Sequence, residues 1–370
     1  MQEQNPAKCL YFRSDDNTHG YLRTCLPFES IRMTRRPDVN LEETTYRAIA
    51  ENELKNMRAI RFQRAFGNGW LSYVHQFYNR HRYMGFKMVY DIDDYIFGHN
   101  ELDGGDTRDG LPSYNNCYKG FTDDVQSDSL DIMRLMDTIT VSTDRLGQML
   151  QNDLGLTCKF VTIPNALPKA WYGNAVVYPW TETPQKPRVI WIGAAQHVDN
   201  ENKRQGDWSD GWIEWLRKNI VDGKMEFASV SNIPFFLDDL KDKIKQLGPV
   251  CFNMYHLAIK NWNPDVCINP LIDNKFNECK SDLALLTCSA LGIPCVGTVF
   301  KSGRTSPFDH AFATVLDTDD AKTIEEKMNR YLHPEKRNEI IRQQFEFMDE
   351  DGRWVESQKH QKRILDALFL

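Results

Sequence analysis

Short apolar segments that alternate with longer amphipathic segments constrain this fold more than any other feature of the sequence. In the first half, GFKMVYDIDDYIF, MDTITVSTDRLGQML and KFVTIPNALP each contain an apolar run that is followed by a turn or a helix. In the second half, the predicted strands are RVIWIGAA, KMEFASVS, DVCINPL, IPCVGTVF and FATVLD. Strands that alternate with helices predict βαβ units and parallel sheets, whose ligands bind beyond the carboxyl ends of the strands.

The length of 370 residues exceeds one ordinary core, so we expect two domains. Residues 170–187 contain three prolines and little periodicity, which predicts an interdomain linker. We therefore predict an α/β fold of two Rossmann-like domains, residues 1–175 and 187–370. The C-terminal stretch is predicted to be helical, with breaks at Pro334 and Gly352.

Composition excludes several classes of protein. The formal net charge of −7 argues against a uniformly basic nucleic-acid-binding protein. No segment approaches the ~20 apolar residues that span a bilayer, and the start lacks a signal-peptide pattern, so we expect a location in the cytoplasm of a bacterium or a phage-infected host. The nine cysteines form no CxxC pair or Cys/His cluster, so no metal site is indicated.

The segment from Asp265 to Thr298 carries the clearest ligand-binding pattern. A predicted strand ends near Pro270, a helix is expected to begin at Lys280 and Ser281, and Gly292-Ile293-Pro294 leads into the next strand. A helix start offers unpaired N–H groups and a partial positive charge, so a pyrophosphate would bind there. The alternative is an ordinary βαβ crossover in which Ser281 caps the helix.

This segment resembles the donor-binding segment of GT-B glycosyltransferases, particularly family-four-like members from surface-polysaccharide clusters and phage genomes. The resemblance lies in the order Lys-Ser, a helix and then Ala-Leu-Gly-Ile-Pro-x-Val. Three further segments follow the family's order: VYDIDD (Val89 to Asp94), IPNAL (Ile163 to Leu167) and VIWIGAAQHVDN (Val189 to Asn200). The resemblance implies two domains that face each other across a cleft, with a C-terminal helix crossing back to the first. It also implies sugar transfer from a nucleotide-sugar, with a UDP-sugar favoured, retention at the anomeric carbon, and no metal or other required cofactor.

The same resemblance places the donor in the second domain. Gly193 would lie against the donor phosphates because it lacks a side chain, and His197 would either reach the donor or be structural. Thr287 stands where the family commonly has a ribose-binding Glu, so Glu278 and Asp282 are further candidates for donor contacts. The predicted donor-binding residues are Gly193, His197, Asp199, Asn277, Lys280, Ser281 and Thr287.

Asp91, Asp93 and Asp94 follow an apolar strand and are predicted to be catalytic, at the rim of the first sheet. In a GT-B enzyme such an acid would orient the acceptor hydroxyl or take its proton. The alternatives are a metal-binding Asp-x-Asp of the GT-A type, a haloacid-dehalogenase-like phosphatase with Asp91 as nucleophile, and acids that only cap a turn. We favour the first, because Tyr95 departs from the phosphatase pattern and a GT-A site leaves the segment around Lys280 without a purpose.

Between Lys55 and Tyr90 the chain has seven basic residues, nine aromatic residues and no acid. This pattern suits phosphate neutralisation and base stacking, and the alternative is a solvated helix face above an aromatic core. The predicted acceptor-binding residues are Arg58, Arg61, Arg64, Arg80 and Arg82. The acidic segment 101–131 would repel DNA and favours a glycan acceptor. We favour a hydroxymethylated pyrimidine in phage DNA slightly over a glycan, and a hydrolase or a non-catalytic binding protein remains an alternative.

Overall fold

The computed structural model contains two six-stranded parallel sheets. It describes residues 6–13, 20–44, 47, 49–64, 69–97, 123–172, 179–193, 197–198, 200, 203, 205–230, 232–248 and 250–370. The predicted α/β fold with two Rossmann-like sheets is confirmed.

The first sheet has the strand order β2-β1-β3-β4-β5-β6, and all neighbouring strands are parallel. Its strands are β1 (Ala7–Phe12), β2 (Val39–Thr44), β3 (Met57–Gln63), β4 (Lys87–Ile92), β5 (Thr138–Val141) and β6 (Lys159–Thr162). The helices of this half are a π-helical turn (Tyr21–Cys25), α1 (Leu26–Met33), α2 (Glu51–Leu54), α3 (Trp70–His81), a 3₁₀ turn (Arg82–Met84), α4 (Asp123–Arg134), α5 (Asp144–Leu154) and α6 (Lys169–Tyr172).

Both faces of the first sheet are covered, and β4 shows how the alternation works. Met88, Tyr90 and Ile92 point to one face and pack with α3, α4 and α5. Val89 points to the other face, where it joins the cluster that contains residues of α1. Successive side chains of a strand alternate between faces, so a strand that is buried on both sides is apolar throughout. Asp91 is the exception among the buried residues of this strand, and it shares the face of Val89.

The second sheet has the order β12-β11-β10-β7-β8-β9 and is also parallel. Its strands are β7 (Arg188–Trp191), β8 (Glu226–Ser229), β9 (Ile244–Gln246), β10 (Val266–Asn269), β11 (Cys295–Val299) and β12 (Thr314–Leu316). The helices that follow α6 are α7 (Asp210–Val221), a 3₁₀ segment (Phe235–Lys243), α8 (Phe252–Trp262), α9 (Lys275–Cys279), α10 (Leu283–Leu291), α11 (Ala321–Leu332), α12 (Pro334–Glu350) and α13 (Gln358–Phe369).

The segment between the sheets is held against α12. The backbone N–H of Trp180 donates to Asn338 Oδ1 at 2.9 Å, and Asn338 Nδ2 donates back to the carbonyl of Trp180 at 2.9 Å. The guanidinium of Arg337 lies 3.3 Å from the centre of the Trp180 ring. We propose that the domains divide between residues 175 and 187, because β6 ends at Thr162 and β7 begins at Arg188.

The helix α13 returns to the first sheet. Ile364 and Leu368 pack in one cluster with Tyr11 and Val89, and α13 contacts β3, β4 and α1. The apolar face of the first sheet is therefore covered by residues that lie far beyond it in the chain.

Candidate functional site

The candidate site begins at the carboxyl ends of β7 and β10. The chain leaves β7 towards β8 on one side and later returns to β10 on the other, so these two neighbours diverge at a topological switch point. Ligands of open parallel sheets bind in the crevice at such a point. His197 follows β7, while Asn277 and Lys280 follow β10. Three of the predicted donor-binding residues are therefore distributed around the switch point.

The carboxylate of Asp207 brings these three residues together. His197 Nδ1 lies 2.5 Å from Asp207 Oδ2, and Lys280 Nζ lies 3.4 Å from the same oxygen. Asn277 Nδ2 donates to the other oxygen, Oδ1, at 2.7 Å. We call Asp207, His197, Asn277 and Lys280 the Asp207 cluster. Sequence reasoning missed Asp207, which precedes α7 and lies outside the segments that resemble known motifs.

The members of the Asp207 cluster shift one another's pKa values. Burial would raise the pKa of Asp207, but Lys280 and the hydrogen bonds from His197 and Asn277 outweigh burial, so the pKa is lowered. Burial and the charge of Lys280 lower the pKa of His197 below its ordinary value, against the opposing effects of Asp207 and Asp94. At neutral pH the cluster therefore contains an ionised carboxylate, a charged lysine and a neutral imidazole.

The opposite side of the cleft presents acids from the first sheet. Asp93 and Asp94 follow β4, and Arg64 follows β3. Arg64 Nη1 lies 3.2 Å from Asp93 Oδ1 and 3.3 Å from Asp94 Oδ2. The side chain of Asp94 is 16% exposed, and its charge acts on His197. The two groups of residues therefore face the same space from different sheets.

The structure separates Asp91 from the other two predicted catalytic acids. Asp91 belongs to β4 and its side chain is fully buried. Arg23 donates to both of its oxygens, at 2.7 and 3.2 Å, and Thr140 Oγ1 donates at 2.6 Å. Arg61 lies 3.1 Å away as a second positive partner. Burial would raise the pKa of Asp91, but the two arginines outweigh burial and lower it. Asp91 is therefore not at the rim of the sheet, where the sequence interpretation placed it.

A buried chain of hydrogen bonds runs from Asp91 to the loop that precedes α10. Arg23 Nη1 donates to Asn165 Oδ1 at 3.2 Å, and Asn165 Nδ2 donates to Ser281 Oγ at 2.9 Å. Ser281 is a predicted donor-binding residue, and Asn165 belongs to the IPNAL segment. The Pro-Asn turn that stands out in the sequence thus connects the first sheet to the Lys-Ser segment.

The two halves also meet directly through α5 and α9. Thr143 Oγ1 donates to the carbonyl of Cys279 at 3.0 Å, and Arg145 Nε lies 2.8 Å from Glu278 Oε1. Glu278 and Cys279 therefore support the contact between the halves, and Glu278, a candidate donor contact, has a partner in the first half.

The helix α10 begins two residues later than the sequence interpretation expects. Lys280 and Ser281 lie between α9 and α10, and Asp282 is the N-cap of α10. The carboxylate of Asp282 is buried, where it pairs with Arg353 and with His310 Nε2 at 2.9 Å. Asp282 is thus engaged by Arg353 and His310, and the Lys-Ser pair lies in the loop before α10, where Lys280 joins the Asp207 cluster.

The remaining predicted donor-binding residues do not belong to the Asp207 cluster. A Cβ atom at Gly193 would lie 2.4 Å from the indole of Trp191, so the absence of a side chain makes room for that ring. Thr287 is buried in α10 and accepts a hydrogen bond from Tyr255 at 2.8 Å. Asp199 lies outside the described residues, as do positions 98–122 of the acidic segment. A phosphate contact at Gly193 and a ribose contact at Thr287 remain predictions.

The five predicted acceptor arginines do not form one surface. Arg58 and Arg80 are exposed, and Arg82 is half-buried with its guanidinium 2.6 Å from Asp137. Arg61 and Arg64 are buried, because they neutralise the carboxylates that follow or lie within β4. Seven of the nine interleaved aromatics fill the first core: Phe62, Phe77, Phe86 and Tyr90 are buried, and Trp70, Tyr73 and Tyr78 pack against them. Tyr83 is exposed, and Phe66 lies outside the described residues.

Two further features bear on the chemistry. Among the residues that the structure describes, no group of three or more His, Cys, Asp or Glu side chains is arranged to hold a metal ion. No helix in the described ranges is long and apolar enough to cross a membrane.

Comparison with known proteins identifies the fold. No model of a known protein family matches the sequence, and no curated protein matches it significantly. Solved structures match over nearly the whole chain. HepE of Anabaena in complex with UDP-glucose has a TM-score of 0.58 and 9% identity, and the match covers 98% of this chain and 99% of that one.

Two other structures extend this likeness. An alpha-glucosyltransferase in complex with UDP and a 13-mer DNA containing a HMU base has a TM-score of 0.57 and 11% identity, covering 99% of this chain and 100% of that one. Sucrose-phosphate synthase from Thermosynechococcus elongatus has a TM-score of 0.53 and 11% identity, covering 98% of this chain and 95% of that one. The chain therefore has the GT-B fold, with two Rossmann-like domains on either side of a cleft.

Proposed function

We propose that the protein transfers a sugar from a nucleotide-sugar donor to a hydroxyl group of an acceptor. The observation that carries this proposal is the Asp207 cluster, which lies at the switch point of the second sheet and faces Asp93 and Asp94 of the first. A cation on one side of a cleft and carboxylates on the other suit a reaction in which a diphosphate leaves and a hydroxyl attacks.

Lys280 would bind the donor phosphates. Its side chain is 12% exposed, and Asp207 fixes the position of Nζ. A positioned ammonium stabilises the charge that develops on a departing nucleotide diphosphate, because the charge is already in place before the bond breaks. Ser281, held by Asn165, would add a hydroxyl to the same loop.

Asp93 and Asp94 would bind the acceptor hydroxyl. An ionised carboxylate accepts hydrogen bonds and can take the proton of the attacking group. Arg64 pairs with both acids and so offsets the repulsion between their neighbouring carboxylates. Asp91 would support this loop from beneath, through its bonds to Arg23 and Thr140.

A phosphatase is the weaker alternative. Its nucleophile would be Asp91, which must reach the phosphorus atom of a substrate. Both oxygens of Asp91 are occupied by buried donors, and the side chain has no exposed surface. The GT-B fold and the burial of Asp91 together favour sugar transfer.

A UDP-sugar is the proposed donor, and a hydroxymethylated pyrimidine in DNA is the proposed acceptor. The likeness to HepE with UDP-glucose and to the alpha-glucosyltransferase with UDP and HMU-containing DNA supports both choices. The five arginines do not form one basic surface, which weakens the case for DNA as the acceptor, so a glycan is the second candidate. Retention at the anomeric carbon and independence from metals belong to the same proposal.

Nucleotide release tests the proposal. UDP-, GDP- and ADP-sugars are each incubated with the protein and EDTA, together with hydroxymethylated DNA, unmodified DNA or mixed glycans. We expect UDP release that requires hydroxymethylated DNA, with the product retaining the donor's anomeric configuration. Release with glycans alone would assign the second acceptor. No release with any pair, from protein whose folding is verified, would contradict sugar transfer.

The matched variants are Lys280→Ala and Lys322→Ala. Lys322 is a largely exposed lysine of α11 in the same half of the chain. Loss of release in the first variant only would tie the reaction to the Asp207 cluster.

A further inference from the structure

The contacts of Asp207 determine which nitrogen of His197 carries the proton. An ionised carboxylate only accepts hydrogen bonds, so the 2.5 Å contact between Asp207 Oδ2 and His197 Nδ1 requires a proton on Nδ1. Lys280 Nζ lies 3.1 Å from the same nitrogen, and an ammonium only donates. A protonated Nδ1 cannot accept from Lys280, so the lysine donates to Asp207 Oδ2 and its charge acts on the imidazole through space.

The imidazole is neutral in this arrangement. The charged groups that shift its pKa include Asp207 and Lys280 in its own half and Asp94 across the cleft. Burial and Lys280 lower its pKa, and the two acids oppose them without reversing the shift. A neutral ring with a proton on Nδ1 has its lone pair on Nε2. His197 therefore provides a hydrogen-bond acceptor, whereas its neighbour Lys280 provides a positive charge.

We infer that Asp207 is a positioning residue, which fixes His197 with its proton on Nδ1 so that Nε2 accepts a hydrogen bond from a hydroxyl group of the donor's sugar. This inference rests on the proposed function. Phosphate oxygens carry no hydrogen at neutral pH, so they bind Lys280 and not Nε2. A sugar joined to that phosphate would extend from Lys280 towards the acids of the first sheet, and His197 lies next to Lys280 and within the field of Asp94.

Because of Asn277, the side chain at position 207 determines which nitrogen of His197 is protonated. Its Nδ2 donates both to Asp207 Oδ1 and to the carbonyl of Ile272, at 2.7 and 2.9 Å, and these two bonds fix the orientation of its amide. In an Asp207→Asn variant, the new amide must direct its oxygen to Asn277 and its NH₂ to His197. An NH₂ group donates, so Nδ1 would have to lose its proton and the ring would carry it on Nε2. The substitution thus converts Nε2 from an acceptor to a donor with almost no change in volume.

Nitrogen NMR of protein with ¹⁵N-labelled histidine tests the first half of the inference without any substrate. The signals of His197 are assigned among the nine histidines by their loss in His197→Gln. We expect a neutral ring with its proton on Nδ1 at pH 7 in the wild type and on Nε2 in Asp207→Asn. The control is Asp239→Asn, which removes an exposed carboxylate paired with Arg217 and should leave the His197 signals unchanged. A wild-type ring that is charged, or protonated on Nε2, would overturn the inference even if Asp207→Asn does not fold.

Binding of UDP and of UDP-glucose, measured by calorimetry, tests the second half. Asp207→Asn should weaken UDP-glucose binding by about tenfold, which corresponds to one lost hydrogen bond. Its affinity for UDP should be unchanged or higher, because the substitution removes a negative charge beside Lys280. Equal loss for both ligands would show that Nε2 does not contact the sugar. If the wild type binds neither ligand, the proposal of a UDP-sugar donor is contradicted, while the NMR result still decides the role of Asp207.

Discussion

Asn165 Nδ2 donates a hydrogen bond to Ser281 Oγ at 2.9 Å and so joins the loop after β6 to the loop before α10. The other end of the Asn165 amide accepts from Arg23, which is buried against Asp91. One amide therefore connects the ionic interior of the first sheet with the loop that carries Lys280. The candidate site depends on this connection, because the two loops come from different sheets.

Replacing Asn165 should destabilise the protein. Asn165→Ala removes one acceptor of the buried Arg23, which keeps its bonds to Asp91, and the donor to Ser281 Oγ, so we expect the loss of two hydrogen bonds to cost about 1–3 kcal/mol in the free energy of unfolding. Urea unfolding measures this value. Asn40→Ala is the control, because the half-buried side chain of Asn40 donates to its half-buried neighbour Glu42 and its loss should cost less than about 0.5 kcal/mol. Equal values for both variants would contradict a supporting role for Asn165.

Asp91 should contribute to stability rather than to catalysis. In Asp91→Asn the buried Arg23 and Arg61 lose their shared carboxylate, so we expect a cost of about 3–5 kcal/mol. The pKa of Asp91 is lowered from the ordinary value of 3.8, so its stabilisation is present above that pH and is lost as the pH falls through the lowered pKa. Urea unfolding at pH 7 and pH 3 should show the difference from wild type shrinking at the lower pH. A constant difference would argue against the ion pairs as its cause.

Asp93 should matter for turnover. We expect Asp93→Ala to reduce the rate of nucleotide release by about 10²- to 10⁴-fold while donor binding persists, because a general base acts on the acceptor. Steady-state rates and calorimetric donor affinity are measured on the same preparation. The unfolding free energy is compared with that of Asp91→Asn, which should fall much further. Full turnover in Asp93→Ala would remove the catalytic assignment.

Lys280 should determine donor affinity. Its ammonium is the cation of the Asp207 cluster, and losing a charged hydrogen bond to phosphate should weaken UDP binding by about 10- to 100-fold in Lys280→Ala. Calorimetry with UDP at low and moderate salt gives the value. Lys322→Ala, from the surface of α11, should bind like the wild type. Unchanged affinity in Lys280→Ala would exclude the phosphate contact.

His360 should give the protein a pH-dependent stability. This side chain is buried, and burial together with the charges of Arg23, Arg363 and Arg353 lowers its pKa to about 3, with Asp351 opposing them. The unfolded chain then binds a proton more readily than the folded protein, so stability is full above the ordinary pKa of about 6.5 and falls as the pH drops below it.

The size of this effect follows from linkage. Between pH 7 and pH 5 the wild type should lose about 2 kcal/mol through His360, at about 1.4 kcal/mol per pH unit below pH 6.5. Urea unfolding at the two pH values should show a loss that is about 2 kcal/mol smaller in His360→Gln than in the wild type and in His333→Gln, an exposed control. The same pH dependence in all three proteins would assign it to other groups.

The fold could be predicted from the sequence because strand and helix periodicity is local. Each of the apolar runs around 87–92, 138–141 and 266–269 is a strand of a parallel sheet, and the C-terminal helices break at Pro334 and Gly352 as expected. Lys280 and Ser281 also lie beyond the carboxyl end of β10, where the pattern of a strand followed by a loop places them.

The site could be predicted only in part, because its partners are distant in the chain. Asp207 meets Lys280 across 73 positions and Arg23 meets Asp91 across 68, and no local period encodes either pair. The basic and aromatic run between Lys55 and Tyr90 suggested a nucleic-acid-binding surface that its arginines do not form, for a related reason. Its composition is the same whether an arginine faces solvent or a buried carboxylate, and only the sheet decides that Arg61 faces Asp91.

The return of α13 to the first sheet has a consequence for synthesis on the ribosome. The strands that pack against it are complete once β6 has emerged, yet the part of the Tyr11 and Val89 face that α1 does not cover stays open until Ile364 and Leu368 arrive. While the second sheet is being translated, the nascent first half therefore exposes a hydrophobic surface that chaperones would recognise. The cover of the first sheet is consequently completed last, and a premature stop codon between β12 and α13 would yield two sheets of which the earlier one lacks the cover that α13 provides.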